Sequence, residues 1–380
     1  MTPRNPRNPR KPRKRWATAI CAVLASAAVA RQDAIPPEPP VAEAPGRAAA
    51  PAGAGGAENH AAAGEITPAL DASVTRGLAA LAALQSPDGS WGGPRFQRSA
   101  ALTAIACLAF MSDGHLPGRG VYGATVERGL DFILSSVAET GLIAADTSHG
   151  PMYGHGFATL FLGEIYGMTA GGPDTARSAR VHDALLRATR LIVNSQNSEG
   201  GWRYNPVPHD ADVSVTICQI MGLRSARNAG LDISKETIDR AVKYVRDCQN
   251  EDGGFRYQLM VGASAWPRTA AGLASLYYAG IYEDDALEKG LEFLNRQAFP
   301  GRGQGIGSHY FYGHYYAAQA MYLAGGQRWA EWWPAVRDEI IASQSPDGTW
   351  EDGYAGSSYG TAMALIILQM PKRYLPIFQK

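Results

Sequence analysis

The chain has 380 residues, of which 46% are hydrophobic and 18% charged, and its 35 basic residues balance 35 acidic ones. That balance excludes the basic footprint of a nucleic-acid binder. Of four cysteines Cys21 falls in the N-terminal apolar stretch, and the remaining Cys107, Cys218 and Cys248 are an odd, sparse set that reads as buried thiols more than as a disulfide framework.

The charge is unevenly placed. Seven basic residues and no acids fill positions 1–15, and a small, apolar stretch from Trp16 ends in Ala28-Val29-Ala30. This is the layout of a secretory signal peptide over residues 1–30, and about fifteen apolar residues are too few for a membrane span. An exported protein, periplasmic, held at the cell envelope or secreted, is expected. Removing the leader leaves 28 basic residues against 35 acidic ones, a net charge of −7. Residues 31–64, rich in Pro, Ala and Gly, read as a flexible linker, because they bury too little apolar surface to offset ordering entropy. No later run is long enough to cross a membrane.

From residue 65 onward a period appears. QSPDGSW (85–91), QNSEGGW (196–202), QNEDGGF (249–255) and QSPDGTW (344–350) share Gln, three polar residues, Gly, any residue, then an aromatic. A degenerate copy begins at Gln297, and intervals of 53, 48 and 47 residues separate Gln196, Gln249, Gln297 and Gln344. The 111 residues from Gln85 to Gln196 hold two periods, with one copy worn away near SSVAETGLIAAD. Six units result. Each has an amphipathic helix before the Gln, such as DRAVKYVRDCQ, and after the aromatic a run apolar nearly all round, such as AALTAIACLAFM. An outer and an inner helical layer follow, and the fold class is all-α.

The Gln-to-aromatic segments resemble the QW repeat of the squalene–hopene cyclase and protein prenyltransferase β-subunit superfamily. The resemblance implies a single (α/α)6 toroid over residues 65–380, with inner helices around a central funnel. It also implies a mechanical role for Gln85, Trp91, Gln196, Trp202, Gln249, Phe255, Gln344 and Trp350. The amide would bond open backbone groups at helix ends, the Gly would turn the chain, and the aromatic would pack over it.

YGHGFA (153–158) returns as YGHYYA (312–317). Aligning the inner helices on Thr103, Thr159, Thr216, Thr269, Ala318 and Leu365 puts Ser99, His155, Asp212, Ala265, His314 and Thr361 at one position, at the funnel mouth. Ser99 and Asp212 are good helix caps. His155 and His314 suit either a satisfied buried imidazole or acid–base work near neutral pH. With Asp210 and Asp212 these histidines are the catalytic candidates. His155, His314 and Asp212 are also a set for a divalent metal, although their units stand far apart around a ring.

The resemblance bears on both chemistries. Prenyltransferase β-subunits hold zinc through an Asp-x-Cys step and a later His. Asp210-Ala211-Asp212 lacks the thiolate, and His314 is in a context similar to the zinc His. Triterpene cyclases use an Asp-x-Asp-Asp acid, and Asp210-Ala211-Asp212-Val213 has two of its three carboxylates. Tyr153, Phe157, Tyr204, Trp266, Tyr310, Tyr312 and Tyr315 cluster near inner-helix starts and suit an apolar or isoprenoid ligand. Three functions therefore compete: binding, with or without transformation, of an apolar isoprenoid-like ligand; a non-catalytic scaffold for protein or envelope binding; and a carbohydrate-active toroid, for which only Asp210, Asp212 and Glu164 offer carboxylates.

Overall fold

The computed structural model describes residues 64–145, 150–302 and 309–379. The proposed leader, and the linker up to residue 63, lie outside them.

Twelve α-helices alternate between two layers among the described residues. The outer layer holds α1 (Pro68–Ala83), α3 (Gly123–Ser135), α5 (Thr175–Asn194), α7 (Lys235–Asp247), α9 (Asp285–Gln297) and α11 (Gly326–Ala342). The inner layer holds α2 (Ala100–Met111), α4 (Met152–Thr169), α6 (Val213–Asn228), α8 (Trp266–Tyr278), α10 (Tyr310–Ala324) and α12 (Ser357–Leu368). Each inner helix packs on the next, and α12 packs on α2, which closes the ring. The fold is thus the expected (α/α)6 toroid. One short antiparallel hairpin, β1 (Trp91–Gly93) with β2 (Phe96–Ser99), departs from an all-helical reading.

The layers follow from side-chain distribution. Helix α2 buries eleven of its twelve residues, because the outer layer covers one side and neighbouring inner helices cover its flanks. Helix α7 buries only Thr237, Ala241, Tyr244 and Val245, a single stripe. Helix starts are marked locally. Thr67, Ser99, Asp174, Asp212 and Asp284 each accept a backbone N–H from the first turn of α1, α2, α5, α6 and α9.

The Gln-to-aromatic segments act as hinges between adjacent units. Gln196 Nε2 donates to Gly200 O (2.8 Å) in its own turn and to Thr237 O (2.9 Å) in the first turn of α7. Gln85 joins Gly89 O to Thr125 O of α3, and Gln249 joins Gly253 O to Ala286 O of α9. Gln344 joins Gly348 O to Ser73 O of α1 and so ties the last unit to the first. The indole N–H groups of Trp91, Trp202 and Trp350 donate to Leu81 O, Ile192 O and Ile340 O, each ten residues earlier. All three rings are fully buried. Gly200 has φ +101°, and a Cβ there would stand 2.2 Å from Arg240 O. Only glycine fits so close an approach in that left-handed conformation.

The worn second copy keeps this geometry without the signature residues. Gly141 has φ +87° and lies against Arg187 O as Gly200 lies against Arg240 O. Ile143, fully buried, takes the aromatic's place two residues later. Cys107, Cys218 and Cys248 are free and buried.

At the C-terminal ends of the inner helices the chain doubles back. Leu375, Ile377 and Phe378 are buried, and the short turn Pro376–Phe378 packs on α4 and α6. Beneath it Glu164 accepts the Ile377 N–H at Oε2 (3.0 Å), while Oε1 meets Ser225 Oγ at 2.7 Å. No helix among the described residues is long and apolar enough to cross a membrane.

Candidate functional site

A cavity of about 720 Å³ opens at the N-terminal ends of the inner helices, and all six contribute to its wall. Ala100, Leu102 and Ile105 of α2 form one apolar side, continued by Ile143 and by Phe157 of α4. Trp266 and Pro267 line it from α8, and Tyr312 and Tyr359 from α10 and α12. Polar groups are few: Ser99, Ser214, Arg268, His309, Asp352 and the tyrosine hydroxyls.

Of the aromatics picked from the sequence, Tyr153, Phe157, Tyr204, Trp266 and Tyr312 line this cavity. Tyr310 and Tyr315 do not. Tyr310 is directed to the outer layer, where its hydroxyl donates to Glu339 Oε2 (3.1 Å). Tyr315 is buried behind Phe157, with ring centroids 6.1 Å apart.

The two histidines are placed differently from the sequence-based alignment. The backbone N–H of Trp91, Trp202, Phe255 and Trp350 donates to the hydroxyl of Thr103, Thr216, Thr269 and Thr361. In the second unit the N–H of Ile143 donates instead to His155 Nδ1 (3.1 Å). His155 therefore occupies the threonine position, one turn beyond the caps Ser99, Asp212 and Ala265, and Thr361 belongs there too. His155 Nε2 donates to Ala188 O of α5 (3.2 Å), so both ring nitrogens are engaged. Burial pushes its pKa down to about 4, against the small opposing pull of the Ala188 carbonyl. It is a neutral imidazole clamp between layers, with no lone pair for a metal and no proton to exchange.

His314 lies correspondingly in α10, buried among Trp266 (centroid distance 4.9 Å), Tyr310 (4.4 Å) and Trp332 (5.9 Å). Burial pushes its pKa down to about 3. Neither histidine reaches the cavity. The repeated Tyr-Gly-His step is a shared structural position, and the placement of these imidazoles at the funnel mouth is corrected accordingly.

Asp212 is fully buried as the cap of α6, with Oδ1 accepting the Val215 N–H (2.9 Å). Its Oδ2 has no hydrogen-bond partner and lies 3.6 Å from Arg203 Nη1. Burial raises its pKa to about 6, opposed by the Val215 N–H and by the Arg203 charge. Asp210 is half-exposed and pairs with Arg203 at 3.4 Å. The Arg203 guanidinium stacks over Tyr204 (4.6 Å) and Tyr257 (5.3 Å), whose hydroxyls bond to each other. Asp210 and Asp212 thus stand behind the tyrosines and not among the lining residues. Asp212, His155 and His314 are not gathered as a metal set. Among the described residues no group of three or more His, Cys, Asp or Glu is placed to hold a metal ion.

Sequence reasoning missed Tyr257, Arg268, Asp352, Tyr354 and Tyr359, all of which line the cavity. A signal existed for two of them. Tyr204 stands two residues after Trp202, and the same step from Phe255 and Trp350 leads to Tyr257 and Asp352.

No protein-family model matches the chain, and no curated protein matches it. Solved structures show the fold instead. The chain is similar to the type II terpene cyclase MstE from Scytonema at 15% identity, over 81% of this chain and 100% of that one (TM-score 0.54). It is also similar to the α-1,6-mannanase GH76A of Salegentibacter sp. HEL1_6, solved as an inactive variant with α-1,6-mannotriose. There the identity is 7% over 80% and 99% of the chains, with TM-score 0.59. A D-mannose isomerase matches at 11% identity over 81% and 98% (TM-score 0.58). The shared property is the α/α toroid. Terpenoid and carbohydrate chemistries both occur on it, so the fold does not select between them.

Proposed function

We propose that this protein, after export, binds an apolar, isoprenoid-like ligand in the central cavity. The single observation that carries the reading is the composition of that cavity. Its volume, about 720 Å³, suits a ligand of moderate size. Its walls are mainly alanine, leucine, isoleucine and aromatic rings, contributed by five of the six inner helices and their flanking loops, with α6 adding only Ser214. Water released from such a surface favours an apolar guest by roughly 25 cal/mol per Å² buried. MstE, which shares the toroid, has been solved with geranylgeranyl dihydroxybenzoate as substrate and with merosterolic acid A as product.

The reading is one of binding. Protonating an alkene needs a carboxyl group in reach of the guest. Asp352 is the one carboxylate among the described lining residues, and its Oδ1 accepts the Tyr354 and Ala355 amides of its own loop (3.0 and 2.8 Å). A glycosidase likewise needs a facing pair of carboxylates. The mannanase and isomerase likeness therefore supports the fold without supporting a sugar site. Calorimetric titration with farnesol, geranylgeraniol and α-1,6-mannotriose tests the reading. Micromolar binding of an isoprenoid alcohol is expected. Binding of the trisaccharide alone would overturn it.

A further inference from the structure

Arg268 breaks the apolar character of the cavity, and its bonding is incomplete. It is the only arginine or lysine among the described lining residues. Its Nη2 donates to Ala263 O at 2.9 Å, but its Nε is buried with no partner. No carboxylate pairs with it among the described residues. Arg203, by contrast, is matched by Asp210 and Asp212. Asp352, the one acid in the wall, is held by its own loop amides. A buried donor without an acceptor in the free protein is a position where an incoming acceptor gains the full value of a charge-assisted bond.

The position of this charge matters as much as its state. Arg268 stands on α8, which is three helices away from α2 in either direction around the closed ring. The cavity thus has an apolar wall on α2 and α4, and opposite it a guanidinium 5.9 Å over the Tyr257 ring. A guest that fills it would be apolar at one end and anionic at the other. We infer that the ligand is an amphiphile with a single negative charge, a long-chain or isoprenoid carboxylic acid, whose carboxylate pairs with Arg268. One guanidinium suits one carboxylate, which accepts two parallel N–H bonds. A diphosphate carries several charges and would call for further cations or a metal cluster, neither of which the described lining residues supply. The inference rests on the proposed binding of an apolar ligand and adds its head group.

Calorimetric titration of the full-length protein with farnesoic acid, farnesol and farnesyl diphosphate at neutral pH separates the two readings. The wild type is expected to bind the acid about tenfold or more tightly than the alcohol. Arg268→Met should abolish that preference, so that acid and alcohol bind with similar affinity, while the protein remains folded by circular dichroism. Should Arg268→Met misfold, Arg268→Gln retains a donor for Ala263 O and removes the charge, with the same expected loss. Equal affinity for acid and alcohol in the wild type would overturn the inference and leave the proposed function standing. So would an acid preference that survives in a folded variant. A diphosphate that binds more tightly than the acid would overturn the single charge, and failure of all three probes would overturn both readings.

Discussion

Replacing Glu164 by glutamine should stabilise the protein at pH 8 and leave it almost unchanged at pH 4. Glu164 is fully buried beneath the C-terminal turn, and burial raises its pKa from 4.5 to about 7, against the pull of Ser225 and the Ile377 N–H. Its hydrogen bonds agree with a neutral acid. Ser225 Oγ lies 3.1 Å from Leu160 O and can donate there, so the Glu164 hydroxyl can donate to Ser225, while the other oxygen accepts the Ile377 N–H. Glutamine reproduces this pattern, with its NH₂ facing Ser225 and its carbonyl facing Ile377. The sign follows from proton linkage. The folded state keeps a proton that the unfolded chain releases above pH 4.5, so stability falls as pH rises through the window from 4.5 to about 7. A difference of about 2.5 pH units at 1.36 kcal/mol each gives a loss of about 3 kcal/mol. His155 and His314, with lowered values, act in the opposite direction at acid pH, so the comparison must be made between variant and wild type at each pH. Urea unfolding from pH 4 to pH 8 measures it. A variant less stable than wild type at pH 8, or a difference that does not change with pH, would refute the reasoning.

Gln196→Leu removes the amide that bridges Gly200 O and Thr237 O, leaving the buried Gly200 carbonyl without a donor and Thr237 O with only its partner inside α7. A loss of about 2 to 4 kcal/mol in unfolding free energy is expected, with the helical circular dichroism of the folded state retained. Gly200→Ala brings a Cβ to 2.2 Å from Arg240 O in a left-handed conformation, so it should cost more than about 2 kcal/mol and lower the melting temperature. His155→Leu strands the buried Ile143 N–H and takes from Ala188 O a second donor beyond its partner inside α5. It should destabilise by about 2 to 4 kcal/mol while leaving farnesol affinity unchanged, and a selective loss of binding would return His155 to the site.

Much of the architecture was legible because it is written in local grammar. A Gln that bonds its own turn and the next outer helix, a Gly that must adopt positive φ, and a ring that seals them recur at a countable spacing. Helix type was equally legible, since burial on one side or on several leaves different stripes of apolar residues. Ring closure needed more than this grammar. The Gln344 bond to Ser73 spans 271 positions, and the repeat pattern alone does not say whether its ends meet. The worn second copy shows the converse. Gly141 and Ile143 preserve the turn after Gln and Trp have gone, because backbone conformation and buried volume are what the turn requires.

The candidate site was read less well, for a definite reason. Sequence spacing says which residues begin an inner helix, but one helical turn separates a side chain at the cavity from one clamped between layers. His155 and His314 fall on the wrong side of that turn, where burial holds them neutral. Asp212 is fixed as a cap by the Val215 amide, behind Tyr204 and Tyr257. Arg268 carries no repeat signature and became visible only when six helices had been brought together around it. The sequence by itself determined the units, their two layers and the hinges between them, since those depend on neighbours within a few turns. The tertiary structure decided which groups share the cavity, since that depends on the rotation of each helix about its own axis inside a closed ring.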